Sequence, residues 1–136
     1  MKSRSALLPI GALFALCLVP LRAQAAPAKL PSKIAYGDLV RLLASKEAPL
    51  LLDVRTAEEY SAGHIPGAVL APYDRLEADF KEVDKGRPIV LYCRSGRRSA
   101  IARQTLLAMG YSNLADFGGI SNWQGKLVEG MSPNRP

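Results

Sequence analysis

Seven consecutive residues, Cys93-Arg94-Ser95-Gly96-Arg97-Arg98-Ser99, combine a thiol, three guanidinium groups, two hydroxyls and a glycine. They follow the apolar run Ile89-Val90-Leu91-Tyr92 and lead into a helical pattern from Ser99 to Met109. Open α/β sheets bind ligands beyond the carboxyl ends of their strands, and this loop lies at such an end. A tight turn entering a helix aims successive backbone N–H groups at one point, and the helix terminus adds partial positive charge. An anion fits a cradle of that kind. A thiol inside it has its pKa depressed and stands as thiolate near neutrality, and three nearby arginines raise the potential further. The chemistry implied is nucleophilic attack by Cys93 within an anion-binding loop. The competing reading is a solvated basic turn beside a buried, inert cysteine.

Other residues compete for a role. His64 is the only histidine, and pairing with Cys93 would mimic a protease dyad. It sits in the turn Gly63-His64-Ile65-Pro66-Gly67, where a structural role is the simpler reading. Asp53 ends an apolar run, and a buried carboxylate needs partners, so it fixes loop backbone or Arg55 rather than moving protons. Arg55 either faces the pocket mouth, where it would bind substrate, or pairs with Glu58 or Glu59. Those two glutamates read as a helix start, and Tyr111 and Trp123 as core.

The elements that must hold this loop alternate along the chain. Ile34, Leu39, Leu42 and Leu43 give a helical period, and Leu50 to Val54 a continuous apolar run suited to a strand covered on both faces. Thr56 and Glu59 form a capping box that predicts a short helix. A second strand is expected over Ala68 to Ala71, a helix around Asp74 to Val83, and a buried strand over Ile89 to Tyr92 that ends on Cys93. The helix Ser99 to Met109 stops at Gly110, and Asn113 to Phe117 supplies a last strand before Gly118-Gly119 and a turn bearing Trp123. Strands alternating with helices imply an α/β domain with a central parallel sheet and helices on both faces.

The N-terminus reads differently. Lys2 and Arg4 precede an uncharged, mostly apolar run from Ala6 to Leu21, then Arg22 and Ala23-Gln24-Ala25-Ala26. This is the pattern of a secretory signal peptide over 1–25, cleaved after Ala25. A membrane anchor is the rival, but the run falls short of the roughly 20 residues a span needs and contains Pro9 and Pro20. Cys17 lies within it after Leu16, without the small residue a lipoprotein site wants before its cysteine. Cleavage leaves one domain over 26–136, its ordered part about 32–130, with a loose Pro/Ala-rich start up to Pro31. The expected location is the bacterial periplasm.

Composition then excludes several classes. The full chain has 136 residues, 49% hydrophobic and 22% charged, which rules out disorder and coiled coil. The formal charge of +6 loses Lys2, Arg4 and Arg22 on cleavage, leaving 15 basic against 12 acidic residues. That balance is too modest for a nucleic-acid binder, and no basic stripe carries interleaved aromatics. No membrane association is expected after cleavage. Removing Cys17 leaves Cys93 without an internal disulfide partner, and no Cys/His cluster has metal-site spacing.

Together these residues carry a resemblance. The loop Cys93 to Ser99 resembles the active-site loop of the rhodanese (thiosulfate sulfurtransferase) family. Two further stretches agree in the family's order. One runs from Leu52-Asp53-Val54-Arg55 through Glu58-Glu59-Tyr60 to Gly63-His64-Ile65-Pro66-Gly67-Ala68; the other from Gly110-Tyr111 through Phe117-Gly118-Gly119-Ile120 to Trp123. The whole is most similar to small exported single-domain rhodaneses of the bacterial phage-shock protein E type. The resemblance implies a rhodanese-like fold and a persulfide carried on Cys93. It also implies that Arg94, Ser95, Gly96, Arg97, Arg98 and Ser99 bind substrate, largely through their backbone amides. The implied partners are a small anionic sulfur donor such as thiosulfate and a cyanide, thiol or protein acceptor, with no cofactor and no metal. A persulfide carrier without turnover needs the same loop and is the alternative. Cys-loop phosphatases and arsenate reductases resemble this arrangement less. The phosphatases place five residues between Cys and Arg and carry His before the Cys, where this chain has four residues and Tyr92.

Overall fold

A computed structural model of the protein describes residues 26–82 and 84–131. The expected signal peptide over 1–25, with Cys17, lies outside the described residues, as does Val83. The helices are α1 (Tyr36–Leu43), α2 (Ala57–Ala62), α3 (Leu76–Asp79) and α4 (Arg97–Ala108). They alternate with strands β1 (Leu50–Asp53), β2 (Val69–Leu70), β3 (Ile89–Cys93) and β4 (Leu114–Gly119). The strands form one parallel sheet in the order β2-β1-β3-β4. Lys33 adds an isolated parallel bridge to Asp116 on β4.

The period-2 alternation of the strands sorts side chains onto two faces. On one face Leu51, Val90, Tyr92, Ala115 and Phe117 pack with Leu39 of α1, Tyr60 of α2 and Ile65. On the other, Leu52, Ile89, Leu91, Cys93 and Leu114 pack with Leu76 of α3 and with Ala102 and Leu106 of α4. All five residues of β3 are buried, as a central parallel strand covered on both sides requires. This sorting decides where the chemistry points: Cys93 faces α4, and its neighbour Tyr92 faces the α1/α2 layer. Among the described residues no helix is long and apolar enough to cross a membrane.

Four details differ from the sequence expectation. Ile34 precedes α1, because its N–H donates to the Asp116 carbonyl at 3.1 Å in the edge pairing. The start of the domain is tied down before residue 32: the Asn113 side chain accepts from the Leu30 N–H and donates to the Ala28 carbonyl. The helix expected over 74–83 shrinks to a 3₁₀ turn, Tyr73–Arg75, and the four residues of α3. Phe80 leaves it in extended conformation and sets its ring against Tyr111, centroids 5.3 Å apart. The last strand continues through Gly118 and Gly119. A register shift lets Phe117 bulge out, so that Tyr92 pairs with Gly118 and Cys93 with Gly119.

Candidate active site

Cys93 is fully buried at the end of β3, beneath the start of α4. The chain turns there on Gly96, whose φ of +94° lies in the left-handed region that a residue with a Cβ resists. Gly96 is also the residue before α4, so the helix begins at Arg97, two residues earlier than the apolar period suggests. The turn brings the Gly96 N–H to 3.0 Å from the Cys93 sulfur. The Ser99 hydroxyl lies 3.6 Å from that sulfur and donates to the Gly96 carbonyl at 3.1 Å. Burial pushes the Cys93 thiol up. The Ser99 hydroxyl and the N–H groups of Ser99, Gly96 and Ser95 together outweigh it, and the net direction is down. The Gly96 N–H is the donor that meets the sulfur directly, a setting that favours the thiolate.

The arginines act differently from one another. Arg94 and Arg97 are exposed and have no ion-pair partner among the described residues. Arg98 instead holds Glu59 of α2 in a two-pronged pair, with Nη1–Oε2 at 2.7 Å and Nη2–Oε1 at 2.8 Å. The three-arginine field expected from sequence is therefore reduced: one charge is paired, and hydrogen bonds lower the thiol. The loop also leans on β4. A Cβ on Gly119 would stand 2.8 Å from the Arg94 carbonyl oxygen and 3.3 Å from Ser95 Cα. Only a glycine lets the strand approach so closely.

Behind the loop lies a second polar group. Asp53 accepts from Arg55 Nε at 2.9 Å and Nη2 at 2.6 Å, and from the Tyr92 hydroxyl at 2.7 Å. That hydroxyl accepts in turn from the Ile65 N–H at 3.1 Å, and Arg55 Nη2 donates to the Gly63 carbonyl at 2.7 Å. Burial, with Asp53 beside it, pushes the Tyr92 phenol above the usual range. Of the roles open to Arg55 the structure shows the tie to Asp53, and neither the pocket mouth nor Glu58 or Glu59, because a guanidinium at that depth requires a carboxylate. His64 stacks on Tyr60, centroids 3.7 Å apart, with Nδ1 2.9 Å from the Tyr60 carbonyl oxygen. Its backbone pairs with Val128.

Comparison with known proteins agrees with this geometry. The sequence profile described as "Rhodanese-like domain" matches residues 36–126, from the first residue of α1 past the turn after β4. The chain belongs to the rhodanese family. A sulfurtransferase of Allochromatium vinosum is 40% identical over 93 residues, which are 68% of this chain and 87% of that protein. The thiosulfate sulfurtransferase PspE of Escherichia coli is 31% identical over 81 residues, 58% of this chain and 78% of its own length. A rhodanese-like domain protein of Staphylococcus aureus superposes with a TM-score of 0.65 at 30% identity, covering 73% of this chain and 98% of that one. Three longer curated relatives are matched over only 45%, 24% and 22% of their lengths.

Within this rhodanese-like domain, sequence reasoning missed two contributors. Glu59 was assigned to its own helix start, and its capping box is indeed present: Thr56 Oγ1 accepts from the Glu59 N–H, and Glu59 accepts from the Thr56 N–H. Its pair with Arg98, 39 positions away, leaves no local pattern to read. Gly119 was read as part of a closing turn. Its signal is the doubled glycine after an apolar strand, where isolated glycines mark close backbone approach.

Proposed function

We propose that this rhodanese-family sulfurtransferase moves sulfane sulfur from thiosulfate, or a similar small anionic donor, through a persulfide on Cys93 to cyanide or a thiol. The observation that carries the reading is the convergence of the Gly96 N–H and the Ser99 hydroxyl on the Cys93 sulfur at the start of α4. The Cys93 thiolate attacks the outer sulfur of thiosulfate. The S–S bond of the donor breaks, and sulfite departs with its electron pair. The new Cys93–S–S⁻ anion sits where the loop N–H groups and the helix terminus concentrate positive potential. An acceptor nucleophile then attacks the outer sulfur, Cys93 leaves as thiolate, and thiocyanate or an acceptor persulfide departs. Two half-reactions on one sulfur predict ping-pong kinetics. The exposed Arg94 and Arg97 suit an anionic donor arriving from solvent. The name of the PspE relative supports thiosulfate as that donor.

Loop size favours sulfur over phosphorus. Four residues separate Cys93 from Arg98, one fewer than in the Cys-loop phosphatases, and the smaller ring suits one sulfur atom rather than a tetrahedral phosphoryl group. The residue pattern over 1–25 further supports export to the periplasm as a mature chain beginning at Ala26, with Cys93 its sole thiol. N-terminal sequencing of the exported protein tests this; Met1 retained on a membrane-bound form overturns it.

The decisive experiment pairs intact mass with turnover. Thiosulfate should add one sulfur atom to the protein, and cyanide should remove it over many cycles. A single stoichiometric transfer would make the protein a carrier. Aryl-phosphate hydrolysis exceeding sulfur transfer would overturn the loop-size argument, and inserting a residue between Gly96 and Arg97 should weaken sulfur transfer.

A further inference from the structure

The start of α4 lacks the devices that usually secure a helix N-terminus. Gly96 supplies no side-chain cap, and the first turn holds no acidic residue. It holds Arg97 and Arg98, whose charges oppose the positive end of the helix dipole. Yet this turn must keep the Gly96 N–H and the Ser99 hydroxyl on the Cys93 sulfur, where the N–H groups of Ser95 and Ser99 also favour the thiolate. The missing carboxylate comes from another helix. Glu59 grips Arg98 with both oxygens, and Oε2 also accepts from the Thr56 N–H at 3.1 Å. The capping box of α2 thus fixes the carboxylate before it meets Arg98, and a two-pronged pair fixes direction as well as distance. Hydrogen bonding by Arg98 holds the Glu59 carboxyl at about 2, against the ordinary 4.5, with burial opposing and the Thr56 N–H and the Arg98 and Arg55 charges assisting. The carboxylate therefore stays ionised well below neutral pH, and the pair with Arg98 persists with it.

We infer that Glu59 is a positioning residue for sulfur transfer: acting through Arg98, it anchors the first turn of α4 and so holds the donor ring around Cys93. The inference rests on the sulfur-transfer reading for its consequence, while its cause is tested on the thiol alone.

Alkylation of Cys93 by iodoacetamide across pH reports the thiolate without any sulfur chemistry. The groups that bear on the Cys93 thiolate are the Ser99 hydroxyl, the loop amides and the Arg98 charge. Glu59→Gln should shift the alkylation profile to higher pH and slow the reaction at neutral pH about threefold to tenfold, the equivalent of weakening one hydrogen bond to the sulfur. Thiosulfate kcat should fall about tenfold, with KM changed far less. Arg98→Met removes the tie together with the arginine charge and is read only against the double variant, whereas Arg98→Lys keeps the charge, loses the two-pronged grip, leaves the capping box whole and serves if Glu59→Gln does not fold. The double variant should alkylate no more slowly than Arg98→Met alone, because the glutamate acts only through the arginine. An unmoved profile in the single variants, additive effects in the double, or a profile shifted to lower pH would each overturn the assignment. The last would mean that Glu59 merely neutralises Arg98. A wild type that transfers no sulfur while Glu59→Gln still moves the profile would defeat the sulfur-transfer reading and leave the anchor standing. An active wild type with an unmoved profile would do the reverse.

Discussion

Two buried polar groups meet β3 at neighbouring residues, Tyr92 and Cys93, on opposite faces of the sheet, and they differ in how their valences are filled. Around Asp53, every donor meets an acceptor: Arg55, Tyr92, Ile65 and Gly63 close a ring of hydrogen bonds that joins β1, β3 and the 63–65 turn. Around Cys93, by contrast, the Gly96 N–H and the Ser99 hydroxyl close on one sulfur whose ionisation is favoured. A saturated cluster is scaffold, and an unsaturated one is chemistry. Strand alternation separates the two, since Tyr92 and Cys93 must point to opposite faces.

The largest effect should come from the unsaturated side. Cys93→Ser replaces the nucleophile with a hydroxyl that is not ionised near neutrality, while the surrounding donors keep a hydrogen-bond partner. Sulfur transfer should fall below detection with thermal stability nearly unchanged. Substantial activity in the folded variant would remove Cys93 from the mechanism. The wild type should also retain activity below the ordinary thiol range: because the folded thiol is shifted down, the rate falls only as pH drops through that lowered value.

The saturated side should respond in the opposite currency. Asp53→Ala leaves Arg55 buried with no carboxylate and takes the acceptor from the Tyr92 hydroxyl. Removing one partner of a buried pair costs about 3–5 kcal/mol, readable as a large drop in the urea midpoint. A loss under about 1 kcal/mol would mean that the ring behaves as an exposed pair, and the contrast between the two groups would collapse.

How much of this was legible in the sequence follows the same division. The loop, its strand and its helix were readable because they are contiguous: thiol, glycine turn and helical period occupy Cys93 to Met109. So were the alternating elements, since burial on both faces leaves continuous apolar runs such as Leu50-Leu51-Leu52. Ties between distant segments were not. Arg55 and Asp53 are two residues apart and their pairing was only one of several options, whereas Glu59 with Arg98 and Gly119 against Arg94 join residues that only the folded sheet brings together. The helix over 74–83 failed for a tertiary reason, the pull of Tyr111 on Phe80.

Gly119 offers a finer test of which group a residue serves. Its φ of −85° suits any residue, so backbone strain is not at issue. A Cβ there meets the Arg94 carbonyl at 2.8 Å, and backbone must shift. Gly119→Ala should cost about 1–3 kcal/mol as overpacking, and it should depress sulfur transfer by more than its stability loss explains, because the displaced atoms carry the donor ring. An alanine variant with normal kcat would place the contact on the scaffold side.

The smallest effect concerns the tie between the layers. The Glu59 carboxyl titrates at about 2 in the folded protein, against 4.5 ordinarily, through its hydrogen bonds from Arg98. A depressed carboxylate stabilises the folded state fully above its unfolded value, and that contribution disappears as pH falls from about 4.5 toward 2. The pair is partly exposed, at 24% and 26% of the side chains, so solvent screening limits its worth to on the order of 1 kcal/mol. Wild-type stability should therefore decline more steeply than that of Glu59→Gln between those pH values, because glutamine has no proton to take up. Above pH 5 the wild type should be the more stable by the same small margin, and near pH 2 the two should converge. Parallel curves over the whole range would show that the pair contributes nothing to folding. That result would sharpen the division, since a contact worth nothing to stability yet needed for the thiolate belongs wholly to the reactive loop.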